Sequence, residues 1–314
     1  MLLVALVVAA ALSMLAGKVW IPVSAFALSD ARWPIIAELR LPRTVLALLI
    51  GGGLGLAGAA MQGYLRNPLA DPGLFGVSAG AALGAVISIF FGLSATPGTL
   101  SAFALTGAAI AMGLLSLIAG QSGSIIVFTL AGVVISSLAG ALTALVISLA
   151  PTPFATGQIV EWLMGALTDR SWADVAVAGP LIVAGAAVIA SAARALDALT
   201  LGETAARSLG VDPRWLQGKI IVGVGLIVGA SVAAAGIIGF VGLIVPHLVR
   251  PFTSRRPGAV LLPAALAGAL LLTLADAGVR AAPMVTELRL GIAMSLLGGP
   301  FFLALLLRLR RRLG

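Results

Sequence analysis

The chain has no cysteine, two lysines, one histidine, one tyrosine and eleven acidic residues in 314. Without cysteine there is no disulfide, no thiolate metal site and no cysteine nucleophile. The lysines, Lys18 and Lys219, each follow a glycine but precede Val19 and Ile220, so neither closes the GK[ST] end of a phosphate-binding loop. The chain therefore does not hydrolyse ATP by itself. His247 has no second metal ligand nearby in sequence, which favours helix packing or a polar contact over a metal site. No Ser/His/Asp or paired-carboxylate constellation presents itself, and the chain does not read as an enzyme.

Apolar residue is what it has in excess: 61% of the chain, against 10% charged, with mean hydropathy +1.17. That composition belongs to an all-α polytopic membrane protein. The net charge of +8 would suggest nucleic acid in a soluble protein, but here the basic residues sit in short loops and a terminal tail, so topology explains them better and no nucleic-acid partner is implied. Segments of crossing length lie near 2–19, 43–64, 74–92, 98–119, 123–149, 172–193, 258–279 and 288–307. The first lacks a basic n-region and reads as a span, not a signal peptide. The stretch 216–249 would be roughly 50 Å long as one helix at ~1.5 Å per residue, too long for a single crossing, so a break is expected near Gly236 or Gly239. About ten transmembrane helices result, in a single domain over 1–314.

An even count puts both termini on one side, and the tail arginines Arg308, Arg310, Arg311 and Arg312 make that side cytoplasmic. Arg66, Arg194, Arg207, Arg214, Lys219, Arg250, Arg255 and Arg256 fall on the same side. The five tryptophans lie at span ends or in loops, as an aromatic belt requires. Arg40, Arg43 and Arg280 then face outward, against the positive-inside bias. Two readings stay open: an external anionic partner, or local anchoring to lipid headgroups or to Asp276, four residues before Arg280 on one helix face. Asp276 is also the most membrane-embedded carboxylate, which keeps an ion-coupled secondary transporter as an alternative.

Gly53, Gly55 and Gly58 spell GxGxxG, yet they lie mid-span, where a dinucleotide fingerprint has no strand before it. With Gly76, Gly80 and Gly84 they predict close helix packing. In RNPLADPGLFGVSAG (66–80) Asp71 is expected to cap a helix starting at Pro72. The most polar stretch, 196–219, contains TLGETAARSLG. It reads as a short helix, with Glu203 and Arg207 spaced for an ion pair, stopped by Gly210 and followed by Asp212-Pro213. Such a helix is either a solvated connector or a handle for a cytoplasmic partner.

LRLPRTVLALLIGGGLGLAGAAMQGYLRNPLADPGLFGVSAGAALGA, GETAARSLGV and AAGIIGFVGLIVPHLVRP closely resemble the FecCD family of permease subunits of type II ABC importers, in order along nearly the whole chain. ELRLGIAMSLLGGPFF resembles the family's last span, with Arg289 where proline is common. The resemblance implies a BtuC-like permease fold of ten spans in the bacterial inner (cytoplasmic) membrane. It implies a homodimer in lipid, with two cytoplasmic ABC ATPase subunits that use ATP and Mg, and a periplasmic substrate-binding protein. No cofactor is expected on this chain. Residue by residue, Arg40, Arg43 and Arg280 are similar to arginines that dock the binding protein. Glu203, Arg207, Leu209 and Gly210, in the loop at about 196–215, resemble the ATPase coupling helix, and Asn67 and Leu69 a cytoplasmic gate. A second gate segment is expected near Ser122 to Ser124. The implied cargo is an iron chelate, haem ahead of ferric siderophore, with cobalamin as the alternative.

Overall fold

Long runs of Leu, Val, Ala and Gly in lipid satisfy their backbone polar groups only by turning helical. A computed structural model describes residues 1–27, 30–120, 124–283 and 286–313, with side chains described to residue 307. Its helices are α1 (Leu2–Leu15), α2 (Leu41–Tyr64), α3 (Val77–Phe90), α4 (Thr99–Ala119), α5 (Ile125–Ser148), α6 (Pro153–Leu163), α7 (Trp172–Ser191), α8 (Ala193–Leu199), α9 (Glu203–Ser208), α10 (Pro213–Ala235), α11 (Val241–Val249), α12 (Pro257–Ala281) and α13 (Leu290–Leu313). A π-helical turn, Ile35–Arg40, leads into α2. The fold is all-α.

Seven helices among the described residues are long and apolar enough to cross a membrane; Leu2–Leu15, Val77–Phe90 and Val241–Phe252 are apolar but shorter. Two of the seven form the centre. The most apolar windows of the α2 and α10 spans are 78% buried, whereas those of α4, α5, α7 and α13 are 28% buried. The inner pair is walled in by the others, and the outer ring turns apolar side chains such as Leu130, Val134 and Leu138 of α5 away from the bundle.

Glycine lets α2 and α12 approach at backbone distance. A Cβ at Gly55 would lie 2.3 Å from the Ala264 carbonyl oxygen, and one at Gly268 2.2 Å from that of Gly51. The GxGxxG run is thus a packing face inside a helix.

The expected break in 216–249 occurs where α10 ends at Ala235. Gly236 takes φ +69°, which ordinary side chains avoid, and α11 starts at Val241. Phe240 also has φ +68°, and its ring packs where Gly298 of α13 has no side chain. Two expectations need correction. The first span ends at Leu15, four residues early, because the carbonyls of Met14, Ala16 and Val19 are drawn off to arginines. And 153–163, read as loop, is helical: Thr152 accepts a hydrogen bond from Ala155 N–H at 3.1 Å, and Pro153 occupies the first helical position.

Candidate functional site

Two ends of the bundle carry the polar chemistry. At the end where α1 and α12 finish and α2 begins, Arg40, Arg43 and Arg280 come together. Arg43 is wedged between two carboxylates. Its Nε donates to Asp276 Oδ1 and Oδ2 at 3.0 and 3.1 Å, and its Nη2 to Oδ1 at 2.8 Å. Nη1 reaches Glu287 Oε2 at 3.4 Å, and Nη2 also pairs with Glu287 Oε1. Arg280 Nε lies 3.1 Å from Asp276 Oδ2, so the pair at four-residue spacing forms. Asp276 is fully buried, and Arg43 and Arg280 are nearly so.

These arginines also finish α1. The last carbonyls of a helix have no partner within it and carry its negative end. Arg40 donates to Met14 O and Val19 O, each at 2.8 Å, and Arg280 donates to Ala16 O at 3.1 Å and to Ser13 Oγ at 2.6 Å. Ser13 in turn shares a 3.0 Å hydrogen bond with Thr44. Arg40 remains partly exposed, while the side chains of Arg43 and Arg280 are 10% and 7% exposed. Sequence reasoning missed Glu287 and Ser13. The signal for Glu287 was its place as an acid two residues before Arg289 at the start of the last span; Ser13, a hydroxyl in an apolar helix, gave none.

At the opposite end the polar groups are open. Gly202 at φ +97° and Gly210 at φ +83° bracket α9, Val211 N–H closes its end on Ala206 O at 3.0 Å, and Asp212 caps α10 through Arg214 N–H at 2.8 Å. Glu203 pairs not with Arg207 but with Arg66, at 3.7 Å, both side chains more than two-fifths exposed. α9 is thereby tied to the 66–76 loop. A second tie runs from α8, where Asp197 Oδ1 accepts from Gly258 N–H at 2.7 Å in the first turn of α12. Around α9 in the chain lie exposed apolar side chains: Leu201, Leu209 (64% exposed) and Trp215. Such a patch marks a contact surface.

The 66–76 loop is rigid. Asn67 Oδ1 accepts from Leu69 N–H at 2.9 Å, and Asp71 Oδ1 from Gly73 N–H at 2.7 Å with Pro72 next in the turn, as its sequence predicts. Burial nonetheless pushes the Asp71 carboxyl above its ordinary range. Ser136 Oγ donates to Leu74 O at 2.9 Å, and Phe75 stacks on Phe128 at 5.0 Å, pinning the loop to α5. Leu69, Asp71 and Phe240 line a cavity of about 450 Å³ beside α10 and α11. Asn67 is exposed at the loop's surface. Of the second gate, Ser122 and Gly123 lie outside the described residues, and Ser124 caps α5 through Val127 N–H at 3.4 Å. The side chains of the tail arginines also lie outside the described ones. His247 packs edge-on against Phe301, ring centres 5.8 Å apart.

One end with charge compensated inside, an opposite end with an uncovered short helix, and a break between α10 and α11 constitute a specific architecture, and known proteins share it. Residues 4–308 match the FecCD transport family. The haemin transport system permease HmuU of Yersinia pestis is 38% identical over 90% of this chain and 86% of its own. The vitamin B12 import system permease BtuC of Salmonella typhi is 40% identical over 96% and 91%. A solved inward-facing ABC transporter of metal-chelate type superposes with a TM-score of 0.88 at 31% identity, covering 98% of this chain and 97% of the other. The chain belongs to the FecCD transport family, the permease subunits of type II ABC importers, and is a multi-pass protein of the bacterial inner membrane.

Proposed function

We propose that the chain forms, as a homodimer of ten-span subunits with cytoplasmic termini, the membrane path of an ATP-driven importer that carries an iron chelate from periplasm to cytoplasm. The observation that carries this reading is the opposition of the two ends. Outward arginines that break the positive-inside bias stand at one, and an uncovered short helix tied to the 66–76 loop, next to an α8 tied to α12, stands at the other. In this scheme a loaded binding protein meets the outer end at Arg40 and Arg43, with Arg280 holding Asp276 beneath them. Two ATPase subunits seat on Glu203, Arg207, Leu209 and Gly210. Asn67 and Leu69 close the inner mouth, and ATP with Mg acts only in the partner subunits.

The switch works because ATP and the binding protein each prefer one of two states; a ligand with no such preference moves nothing. Charge pairs at the outer face fix register and speed encounter more than they set affinity. Asp276, engaged by two arginines, is better suited to holding the outer end than to carrying a coupling ion.

Haem is the first cargo, supported by similarity to the haemin permease, with ferric siderophore next. Cobalamin is the second reading, supported by the 40% identity to the vitamin B12 permease. ATP-dependent uptake into proteoliposomes, with the cognate ATPase and binding protein, separates them. The expected result is uptake of haem that needs both partners. Uptake of cobalamin alone would transfer the assignment, and flux that follows a proton gradient without ATP would overturn it.

A further inference from the structure

The ion-pair cluster is lopsided about Arg43. Nε of its guanidinium is spent on Asp276, which no solvent reaches, Nη1 on Glu287, and Nη2 reaches both carboxylates. The outer edge faces Glu287, whose side chain is 23% exposed. A carboxylate needed only to close a buried network would sit as deep as Asp276, and this one stands at the rim. It lies on the short lead into α13, whose other tethers hold elsewhere: Arg289 pairs with Glu161 of α6, and Gly291 N–H donates to Gly165 O at 3.1 Å. Losing the Glu287 contact therefore leaves the lead attached.

We infer that Glu287 is an internal stand-in for a carboxylate of the docking partner, capping the outer edge of Arg43 until an acidic residue of that partner displaces it. The inference rests on the reading of this end as a docking face. Its physical content is an exchange. A partner's acid gains a guanidinium already paired, so the net gain is the difference between two similar charge pairs, and docking is weaker than the bare arginines would make it. The arrangement also selects. A protein without an acid at that position leaves Glu287 in place and gains nothing there, which is discrimination by competition. Asp276 keeps Arg43 oriented throughout, so no buried charge is stranded while the outer pair changes hands.

The test measures binding of the cognate substrate-binding protein to the full permease–ATPase complex in nanodiscs, for wild type, Glu287→Gln, Glu287→Asp and Arg40→Glu. Glu287→Gln removes the competing charge and is expected to tighten binding about three- to tenfold at low salt. Glu287→Asp, shorter but still charged, is expected to fall between Glu287→Gln and wild type. It keeps the measurement informative should the neutral variant assemble poorly. Removing a merely structural ion pair would weaken binding or leave it alone. If Arg40→Glu weakens binding while both Glu287 variants match or fall below wild type, the exchange is wrong and the docking face stands. If Arg40→Glu binds like wild type, the docking face itself is wrong and the exchange falls with it.

Discussion

The two polar ends of this molecule manage charge in opposite ways. Outside, Arg43, Arg280, Asp276 and Glu287 pair with one another in a largely buried cluster, and Arg40 and Arg280 finish α1. Inside, Glu203 and Arg66 meet at 3.7 Å in solvent, beside apolar residues that nothing covers. A partner at the inner end adds contacts to a surface that has made few of its own. One at the outer end must trade against contacts already made. On the proposed reading, the same formal charges serve adhesion at one end and selection at the other.

The largest effect is expected from breaking the outer cluster at its base. Asp276→Asn leaves two buried guanidiniums with one rim carboxylate between them, and a loss of about 3–5 kcal/mol is expected from removing one partner of a buried ion pair. Thermal unfolding of the purified complex reads it; stability near wild type would show that the cluster is not what holds α1, α2 and α12 together. Next comes the link between the ends. Gly268→Val puts a Cβ about where the Gly51 carbonyl oxygen stands, with an expected cost of about 1–3 kcal/mol for overpacking and a loss of coupling between ATP hydrolysis and uptake. Unimpaired coupling would mean that α2 and α12 do not move as a unit.

At the inner end, Leu209→Asp places a charge in the uncovered patch. It should lower retention of the ATPase subunits about tenfold, an ordinary cost for a central interface position, while thermal stability is kept. Arg66→Ala removes only an exposed pair, and a change below about 1 kcal/mol is expected. A larger loss would mean that the inner end is as tightly built as the outer. The smallest effect lies on the outer loop, where Asp30 pairs with Arg32 in solvent at 2.7 Å and the Arg32 side-chain hydrogen bond holds its carboxyl down to about 2 from 3.8. A depressed carboxyl contributes stability that is full above its unfolded value and is lost as pH falls through the folded one. Asp30→Asn should therefore cause a small loss of stability at neutral pH that disappears as pH falls between about 4 and 2, where wild type loses the same contribution.

Features set by neighbouring residues were legible in the sequence: the break at Gly236, the Asp71 cap, the short helix before Gly210, the Asp276–Arg280 pair. Each depends on residues a few positions apart. What escaped depends on distance in the chain. Glu203 turned to Arg66 rather than Arg207 because the 66–76 loop folds beneath α9. The first span ended early because arginines from α12 and from the turn before α2 claim its carbonyls. Glu287 shares Arg43 with Asp276 across more than 240 positions, a contact no local pattern announces. Helix α6 is a different failure: Thr152 and Pro153 signalled its start, but eleven residues are too few to register as a span.

On the proposed reading the outer arginines serve a periplasmic partner and the inner helix an ATPase. ATP-driven uptake into proteoliposomes, compared between wild type and Arg40→Glu with the ATPase content of each preparation measured, tests it most directly. Uptake should fall about tenfold, the scale of a lost docking charge, while the ATPase subunits stay bound and hydrolyse ATP. Undiminished uptake would contradict the claim and leave Arg40 as no more than the cap of α1.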